Sequence, residues 1–195
     1  YLEKKAAEIE KNLLLFNHQR LKVVFVLTEK RKTKQKEEKP LFAYEHSLSN
    51  LLEKANIDER YRLENFAVSS SNQVAFAAAQ AVSEKLGKVY NPLFIYGNVG
   101  VGKTHLACAI ARKVLEKNPK ARVYYCPGDQ FTNELIEAIR NKSTPFFRKK
   151  YRSLNLLCVD DIQFIAGKQT VQEEFFHTFN SIIKNKGQVV LVSDR

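Results

Sequence analysis

The chain contains 195 residues, of which 44% are hydrophobic and 27% charged, a composition typical of a globular protein that buries a core. No apolar run approaches the ~20 residues that a membrane-spanning helix needs, and the polar start, YLEKK, does not have the pattern of a signal peptide. The net charge of +11 favours a polyanionic partner, and we favour nucleic acid over a membrane surface.

The first 56 residues divide into two segments by composition. Residues 1–27 are typical of a helix (2–16) and a strand (21–26), which we interpret as the end of a small α/β domain whose beginning is missing. Residues 28–56 start with the polar run TEKRKTKQKEEK, which cannot bury enough apolar surface to offset its ordering entropy. We therefore predict a flexible linker over residues 28–56, whose lysines are also able to contact nucleic acid.

A third segment, residues 57–195, alternates helices with apolar strands. The predicted helices cover residues 73–86, 104–116 and 130–140, and the predicted strands cover residues 93–96, 122–126, 154–159 and 189–192. Near-continuous valine and leucine runs separated by helices are typical of a parallel sheet covered on both faces. The pattern therefore predicts an α/β fold, a sandwich of three layers around a central parallel sheet.

The three cysteines, Cys108, Cys126 and Cys158, all lie in apolar helix or strand contexts. They are too scattered for a zinc site and odd in number for a disulfide framework. We predict reduced, buried core cysteines in a cytoplasmic protein.

The absence of methionine indicates a fragment.

Residues 97–104, GNVGVGKT, match the phosphate-binding pattern G-x-x-x-x-G-K-[ST] between an apolar strand and a helix. Glycines let the backbone fold around a phosphate, and the following helix presents unpaired N–H groups to it. We predict that Lys103 reaches the β- and γ-phosphates of an NTP and that the Thr104 hydroxyl holds Mg²⁺. The loop members that we expect to contact the nucleotide are Gly97, Asn98, Gly100, Gly102, Lys103 and Thr104.

Two carboxylates, Asp160 and Asp161, follow the third apolar strand in a Walker B pattern. Because open α/β sheets bind ligands at the carboxyl ends of their strands, we predict that Asp160 holds the Mg²⁺ contacted by Thr104. Asp161 is then placed to orient or deprotonate the attacking water, or alternatively caps the following turn. Asp194 follows the fourth strand, where it either senses the bound nucleotide or simply belongs to a turn.

Residues 140–152 carry six cations and no acid. The cations are Arg140, Lys142, Arg148, Lys149, Lys150 and Arg152, interleaved with Phe146, Phe147 and Tyr151. Cations alternating with aromatic side chains suit single-stranded nucleic acid, and about four such contacts predict a salt dependence of log K with a slope near −3. The alternatives are a contact with a neighbouring subunit's nucleotide and a solvated helix end. We expect both phenylalanines to lie in the core.

We also expect His105 and His177 to pack rather than to catalyse.

The motifs together resemble the DnaA family of bacterial chromosomal replication initiators, within the AAA+ ATPases. The resemblance runs from about residue 61 to residue 195 and is carried by NPLFIYG, GVGKTHL, FTNE, DDIQF, EEFFHTFN and SDR. A phosphate loop occurs in many enzymes, whereas DDIQF and EEFFHTFN are far more specific. Residues 1–27 match the end of the family's N-terminal partner-binding domain, and residues 28–56 match its variable linker.

The resemblance implies an ATP-dependent initiator whose ATP-bound form oligomerises as a helical filament on the origin. That form engages single-stranded DNA through the AAA+ core and helps to unwind the origin, and hydrolysis resets the switch. The implied cofactors are ATP or ADP and Mg²⁺, and the implied partners include a replicative helicase and acidic phospholipid. Duplex origin DNA would be read by a C-terminal domain beyond residue 195.

The resemblance also implies roles for individual residues. Asp194 corresponds to the sensor-1 residue and acts with Lys103 and Asp161 in hydrolysis. The stretch at residues 65–72, with Val68 and Asn72, corresponds to the segment near the adenine base.

For DNA binding, the helices between the second and third strands correspond to the initiator-specific insertion that grips single-stranded DNA. Ile136 matches an apolar position of the family and Lys168 a basic one, and we add Arg148 and Lys149 from the basic segment. Two departures are Asn98, where most members have Gly, and Thr170, where some have Arg.

The family's arginine finger, sensor-2 lid and helix-turn-helix would all lie beyond residue 195. Because an arginine finger contributes ~10³–10⁵ in rate, we expect a slow ATPase and nearly no turnover by this chain alone. The alternatives are a helicase loader or transposition ATPase of the DnaC/IstB type and a nucleotide-gated DNA-binding module with negligible hydrolysis.

Overall fold

A computed structural model describes residues 41–194, with side-chain surroundings from residue 47 onward. The predicted helix at 2–16, the strand at 21–26 and linker residues 28–40 lie outside the described residues. Among residues 41–194, no helix combines the length and the apolar character that crossing a membrane requires.

The described chain alternates helices with strands. The helices are α1 (Leu41–Lys54), α2 (Gln73–Glu84), α3 (Lys103–Lys117), α4 (Gly128–Arg140), α5 (Thr144–Arg152) and α6 (Gln169–Lys184). The strands are β1 (Leu93–Tyr96), β2 (Val123–Pro127), β3 (Leu156–Asp160) and β4 (Gln188–Ser193), and a 3₁₀ helix spans Ile162–Ile165. The helices and strands predicted within residues 57–195 are confirmed, with ends that differ by at most two residues.

The four strands form one parallel sheet in the order β1-β4-β3-β2. Every residue of β3 is buried, and its side chains alternate between two apolar clusters. Leu156 and Cys158 face a cluster that includes residues of α1, α2 and α3, whereas Leu157 and Val159 face one that includes residues of α4, α5 and α6. The predicted three-layer arrangement is therefore confirmed within residues 57–194.

The cysteines lie in the same two apolar clusters on either side of the sheet. Cys108, Cys126 and Cys158 are all buried and free, as predicted. Burial raises the pKa of the Cys126 thiol to about 11, so this group stays a protonated, unreactive core residue near neutral pH.

The predicted linker was wrong over its second half, because residues 41–54 form α1. Leu52 and Ala55 are 1% and 2% exposed in the cluster beneath α3, and the Ala55 carbonyl accepts a hydrogen bond of 2.9 Å from the Tyr125 amide. The apolar spacing at Leu48, Leu51, Leu52 and Ala55 is that of one helix face. The lysine-rich run before it dominated the composition of the segment and hid this periodicity.

Two further packing expectations were wrong for a common reason. His177 is exposed rather than core, because the buried stripe of α6 passes through Glu174 and Thr178 instead. Phe146 is 76% exposed, because the buried face of α5 carries Phe147 and Tyr151, which are four residues apart. His177 in α6 and Phe146 in α5 both lie outside the helix face that packs towards the sheet.

The burial of α1 predicts the effect of shortening Leu52. Leu52→Ala removes a side chain from the cluster under α3, and we expect a loss of about 2–5 kcal/mol in the free energy of unfolding by urea. Glu53→Ala is the matched control, since Glu53 is exposed on the same turn. Equal stability of the two variants would contradict the packing of α1 into the core.

Candidate nucleotide-binding site

The predicted nucleotide ligands converge at one edge of the sheet. The phosphate loop follows β1, Asp160 ends β3, and Asp194 follows β4, which lies between those two strands. Because all strands are parallel, their carboxyl ends meet at the same edge. Residues that are up to 97 positions apart in sequence, Gly97 and Asp194, are thus brought together.

Lys103 is the buried centre of the loop, with only 7% of its surface exposed. Its Nζ lies 2.6 Å from Asp194 Oδ1 and donates to the Asn98 carbonyl at 2.8 Å. These two partners fix the ammonium at the loop and leave a further N–H for a phosphate oxygen. Of the two alternatives for Asp194, the structure supports a place in the site, because its carboxylate contacts the loop lysine.

Gly102 shows why the loop needs glycine where it enters α3. Its φ of +92° is in the left-handed region, and a Cβ built there would lie 2.7 Å from Phe66 Cε2. Phe66 therefore packs directly against the backbone that begins the helix. The contact joins the segment before α2 to the phosphate loop.

Asp160 is held by three hydrogen bonds at the end of β3. Its Oδ2 accepts from the Thr104 hydroxyl at 2.6 Å and from the Tyr125 hydroxyl at 2.8 Å, and its Oδ1 accepts from the Asp161 amide at 2.8 Å. Burial, followed by the hydrogen bond to Asp160, raises the pKa of Tyr125, so the phenol remains a neutral donor. The carboxylate is consequently both buried and fixed in orientation.

The Thr104 and Asp160 pair fits Mg²⁺ in its chemistry. Both supply oxygen atoms, which Mg²⁺ prefers, and their direct contact places them within reach of one ion. Within residues 41–194, no group of three or more His, Cys, Asp or Glu side chains is arranged to hold a metal. A magnesium site that uses one carboxylate and one hydroxyl of the protein would take its other ligands from nucleotide and water.

Asp161 has a left-handed conformation, φ 49° and ψ 49°, at the start of the 3₁₀ helix. Its side chain makes no capping hydrogen bond to that helix, so the cap alternative is not what the structure has. Instead, Oδ1 accepts a hydrogen bond of 3.0 Å from Gln163 Nε2. The carboxylate is half-buried beside Asp160, at the nucleotide edge of the sheet.

The segment predicted to lie near the base is a compact loop before α2. Asn72 accepts from the Ser69 amide at 2.7 Å and donates to the Ala67 carbonyl at 3.0 Å, while Val68 is 49% exposed. His105 packs as predicted, with its Nε2 2.7 Å from the Arg62 carbonyl and its ring beside Phe66. The Asn72 hydrogen bonds therefore hold the loop in a conformation in which the Val68 side chain is exposed.

The basic helix α5 is more fully paired than its own sequence indicates. Glu174, on α6, binds Arg148 and Arg152 at 2.9 and 2.7 Å, and Glu134, on α4, binds Lys150 at 2.7 Å. Burial alone would raise the pKa of Glu174, but hydrogen bonds from both arginines outweigh it and hold that pKa below its ordinary value. Half of the six cations are therefore paired with acids from other helices, and two of them share one carboxylate.

The remaining candidates for DNA binding come from α4, α5 and the start of α6 and from the segments that join them. Arg140, Lys142 and Lys149 are exposed and form no ion pair with the described residues. Ile136 is 44% exposed on α4, which packs against the 3₁₀ helix that leads to Lys168. Lys168 donates to the Phe164 carbonyl at 2.8 Å, and Thr170 is exposed in the first turn of α6.

Sequence reasoning missed four polar residues that support these groups: Tyr125, Glu134, Gln163 and Glu174. Gln163 lies within the DDIQF string and Glu174 within EEFFHTFN, so a signal was present for both. Their partners lie on other elements, however, and local spacing does not identify them.

A comparison with family models decides the family. Residues 57–195 match the bacterial DnaA ATPase domain, which covers well over half of the chain. The chain belongs to the bacterial DnaA ATPase family. The expectation from the sequence motifs is thereby confirmed, including the assignment of the domain to an ATPase.

Curated relatives agree with this assignment. The DnaA protein of Deinococcus deserti is 55% identical over 139 residues, which are 71% of this chain and 30% of that protein. The DnaA protein of Lachnoclostridium phytofermentans is 46% identical over 182 residues, 91% of this chain and 39% of that protein. The chain thus spans about a third of the length of these DnaA relatives.

Solved DnaA structures share the fold at similar identity. Domain III of Thermotoga maritima DnaA is 42% identical, with a TM-score of 0.69 over 71% of this chain and 58% of that one. Aquifex aeolicus DnaA bound to AMPPCP is 41% identical, with a TM-score of 0.68 over 71% and 43% of the two chains. The DnaC helicase loader shares only the fold, at 18% identity and a TM-score of 0.57 over 71% of this chain and 80% of that one.

The contact at Gly102 predicts how alanine affects the phosphate loop. Gly100→Ala and Gly102→Ala both force a left-handed backbone on alanine, which costs about 1–2 kcal/mol. Only Gly102→Ala also drives a methyl group into Phe66, so we expect it to lose about 1–3 kcal/mol more in urea unfolding. Equal losses in the two variants would contradict the packing of Phe66 on the loop.

Proposed function

We propose that this domain is the ATP switch of a bacterial chromosomal replication initiator: it binds ATP to assemble on origin DNA and hydrolyses it to reset. The observation that carries the proposal is the joint placement of Lys103, Thr104, Asp160 and Asp194 at one edge of the sheet. This is an arrangement suited to a Mg²⁺-bound nucleoside triphosphate. The similarity to DnaA proteins gives the switch its biological setting.

In nucleotide binding, the loop amides and Lys103 hold the phosphates, and Val68 and Asn72 border the base. The Lys103 ammonium donates its remaining N–H to a γ-phosphate oxygen, and Asp194 keeps the lysine oriented. Mg²⁺, held by Thr104 and Asp160, would neutralise charge on the β- and γ-phosphates.

In hydrolysis, Asp161 orients the attacking water or accepts its proton. The carboxylate stands next to the metal carboxylate in sequence and is held by Gln163 rather than by the adjacent turn. A single positioned base gives only part of the rate of a complete site, so we propose slow turnover. Slow hydrolysis suits a signal that must persist while the initiator is assembled.

For DNA, we propose that the AAA+ core binds single strands through the helix pair α4–α5 and the start of α6. The proposal rests on the exposure of Ile136, Lys149 and Lys168 and on a related DnaA solved with AMPPCP and single-stranded DNA. We favour Lys149 over Arg148, because Arg148 is already paired with Glu174. Thr170 supplies a hydroxyl in place of a cation and is expected to contribute less.

The remaining partners belong to the whole initiator. We propose self-association as a helical filament in the ATP state, recruitment of a replicative helicase, and duplex origin binding through a further domain. The net charge of +11 also suits acidic phospholipid, and the proposed site of action is the cytoplasm, where the bacterial chromosome lies.

Two substitutions test the assignment of binding and hydrolysis. Lys103→Ala removes the phosphate cation and is expected to abolish binding of a fluorescent ATP analogue. Asp161→Asn keeps the shape of the side chain and is expected to retain ATP affinity while removing single-turnover hydrolysis, followed with radiolabelled ATP. Unchanged hydrolysis in Asp161→Asn would contradict the role of Asp161. Negligible hydrolysis by the unsubstituted protein, even when it is assembled, would favour the alternative, a nucleotide-gated DNA-binding module.

Salt dependence tests the DNA surface. Four cations, Arg140, Lys142, Lys149 and Lys168, lack an acidic partner among residues 41–194, so log K for single-stranded DNA should fall against log[salt] with a slope of about −3. Lys149→Ala should weaken binding and make the slope shallower by about 0.7, as measured by fluorescence anisotropy. Lys120→Ala, an exposed lysine before β2, is the control and should leave both unchanged. A flat salt dependence would contradict the proposed surface.

A further inference from the structure

Gln163 bridges two elements of the nucleotide site. It lies half-buried in the 3₁₀ helix after β3, where its Nε2 donates to Asp161 Oδ1 at 3.0 Å. On its other side, the Ser193 hydroxyl donates to Gln163 Oε1, also at 3.0 Å. Because a carboxylate can only accept, the amide nitrogen must face Asp161 and the amide oxygen must face Ser193.

Each of the two partners of Gln163 is adjacent in sequence to a residue of the candidate nucleotide-binding site. Ser193 is the last residue of β4, and its neighbour Asp194 contacts the loop lysine, Lys103. Asp161 follows the metal carboxylate Asp160 at the end of β3. A continuous path of one ion pair, one peptide bond and two hydrogen bonds therefore joins Lys103 to the Asp161 carboxylate.

The bridge also determines which oxygen of Asp161 is available. Oδ1 is occupied by Gln163, whereas Oδ2 has no hydrogen-bond partner among residues 41–194. The Asp161 side chain also makes no capping hydrogen bond to the 3₁₀ helix that it precedes. The Gln163 amide is the group that restrains it.

We propose that Gln163 is a positioning residue that fixes the Asp161 carboxylate for water and links it to the nucleotide-sensing end of β4. The inference rests on the proposed hydrolytic role of Asp161. Glutamine suits the place because it carries a donor and an acceptor on one planar group. A glutamate there would set one carboxylate against another, and an apolar side chain would release both partners.

Single-turnover hydrolysis and ATP binding are measured on the whole chain for Gln163→Leu, Ser193→Ala and the double variant. We expect Gln163→Leu to retain the affinity for an ATP analogue within about twofold and to hydrolyse about 10- to 100-fold more slowly. Ser193→Ala should slow hydrolysis less, and the double variant should be no slower than Gln163→Leu, because both changes break the same path. Gln172→Leu, at an exposed glutamine on α6, is the matched control and should hydrolyse at the original rate.

A second readout does not depend on turnover. The side-chain amide resonances of Gln163, assigned by NMR, should shift in both Ser193→Ala and Asp161→Ala and when a non-hydrolysable ATP analogue binds. A merely structural glutamine would shift in the two variants, since each removes a direct hydrogen-bond partner, but it would not respond to the nucleotide analogue. Gln163 resonances that stay unmoved on nucleotide binding would overturn the inference, even if Gln163→Leu failed to fold.

The outcomes separate this inference from the function on which it rests. If Asp161→Asn abolishes hydrolysis while Gln163→Leu hydrolyses at the original rate, the positioning role is wrong and the proposed ATPase mechanism stands. If Asp161→Asn hydrolyses normally, the hydrolytic role of Asp161 and the role of Gln163 are both overturned. If Gln163→Leu loses ATP affinity as strongly as hydrolysis, Gln163 supports binding rather than positioning, which also overturns the inference.

Discussion

The complete burial of β3 is the constraint on which the nucleotide site depends. Its side chains alternate between the two apolar clusters, so the strand cannot slip by one residue without exchanging the faces of Leu156, Leu157, Cys158 and Val159. That fixed register delivers Asp160 to the carboxyl edge of the sheet, where Thr104 and Tyr125 hold its carboxylate. The hydrophobic core thereby sets the position of a buried charge.

The buried charges of the site are each matched by specific partners, as low dielectric surroundings require. Lys103 is paired with Asp194, and Asp160 accepts hydrogen bonds on both oxygens. The same rule operates at a distance from the nucleotide, where Glu174 lies between Arg148 and Arg152. Pairing of this kind both fixes the helix α5 to α6 and reduces the number of cations that face a DNA strand.

Much of the fold was predictable because its signals are local. The strands of residues 57–195 are continuous apolar runs, and the phosphate loop is a contiguous motif between a strand and a helix. The helix α1 was missed for the opposite reason: its apolar stripe is short and follows a run of lysines, and only burial under α3 shows that the segment belongs to the core. His177 and Phe146 were misplaced because an apolar neighbourhood in sequence does not specify which helix face meets the sheet.

By itself, the sequence determined the family, the parallel α/β layers, the nucleotide loop and the carboxylates that end β3, since each depends on residues adjacent in the chain. Only the tertiary structure decided which side chains meet across elements. Three contacts show this: Asp194 with Lys103, Gln163 with Ser193, and Arg148 with Glu174. In each pair the two residues are 26 to 91 positions apart and belong to different parts of the fold. Such contacts follow from the packing of the helices and the order of the strands, and a one-dimensional pattern contains neither.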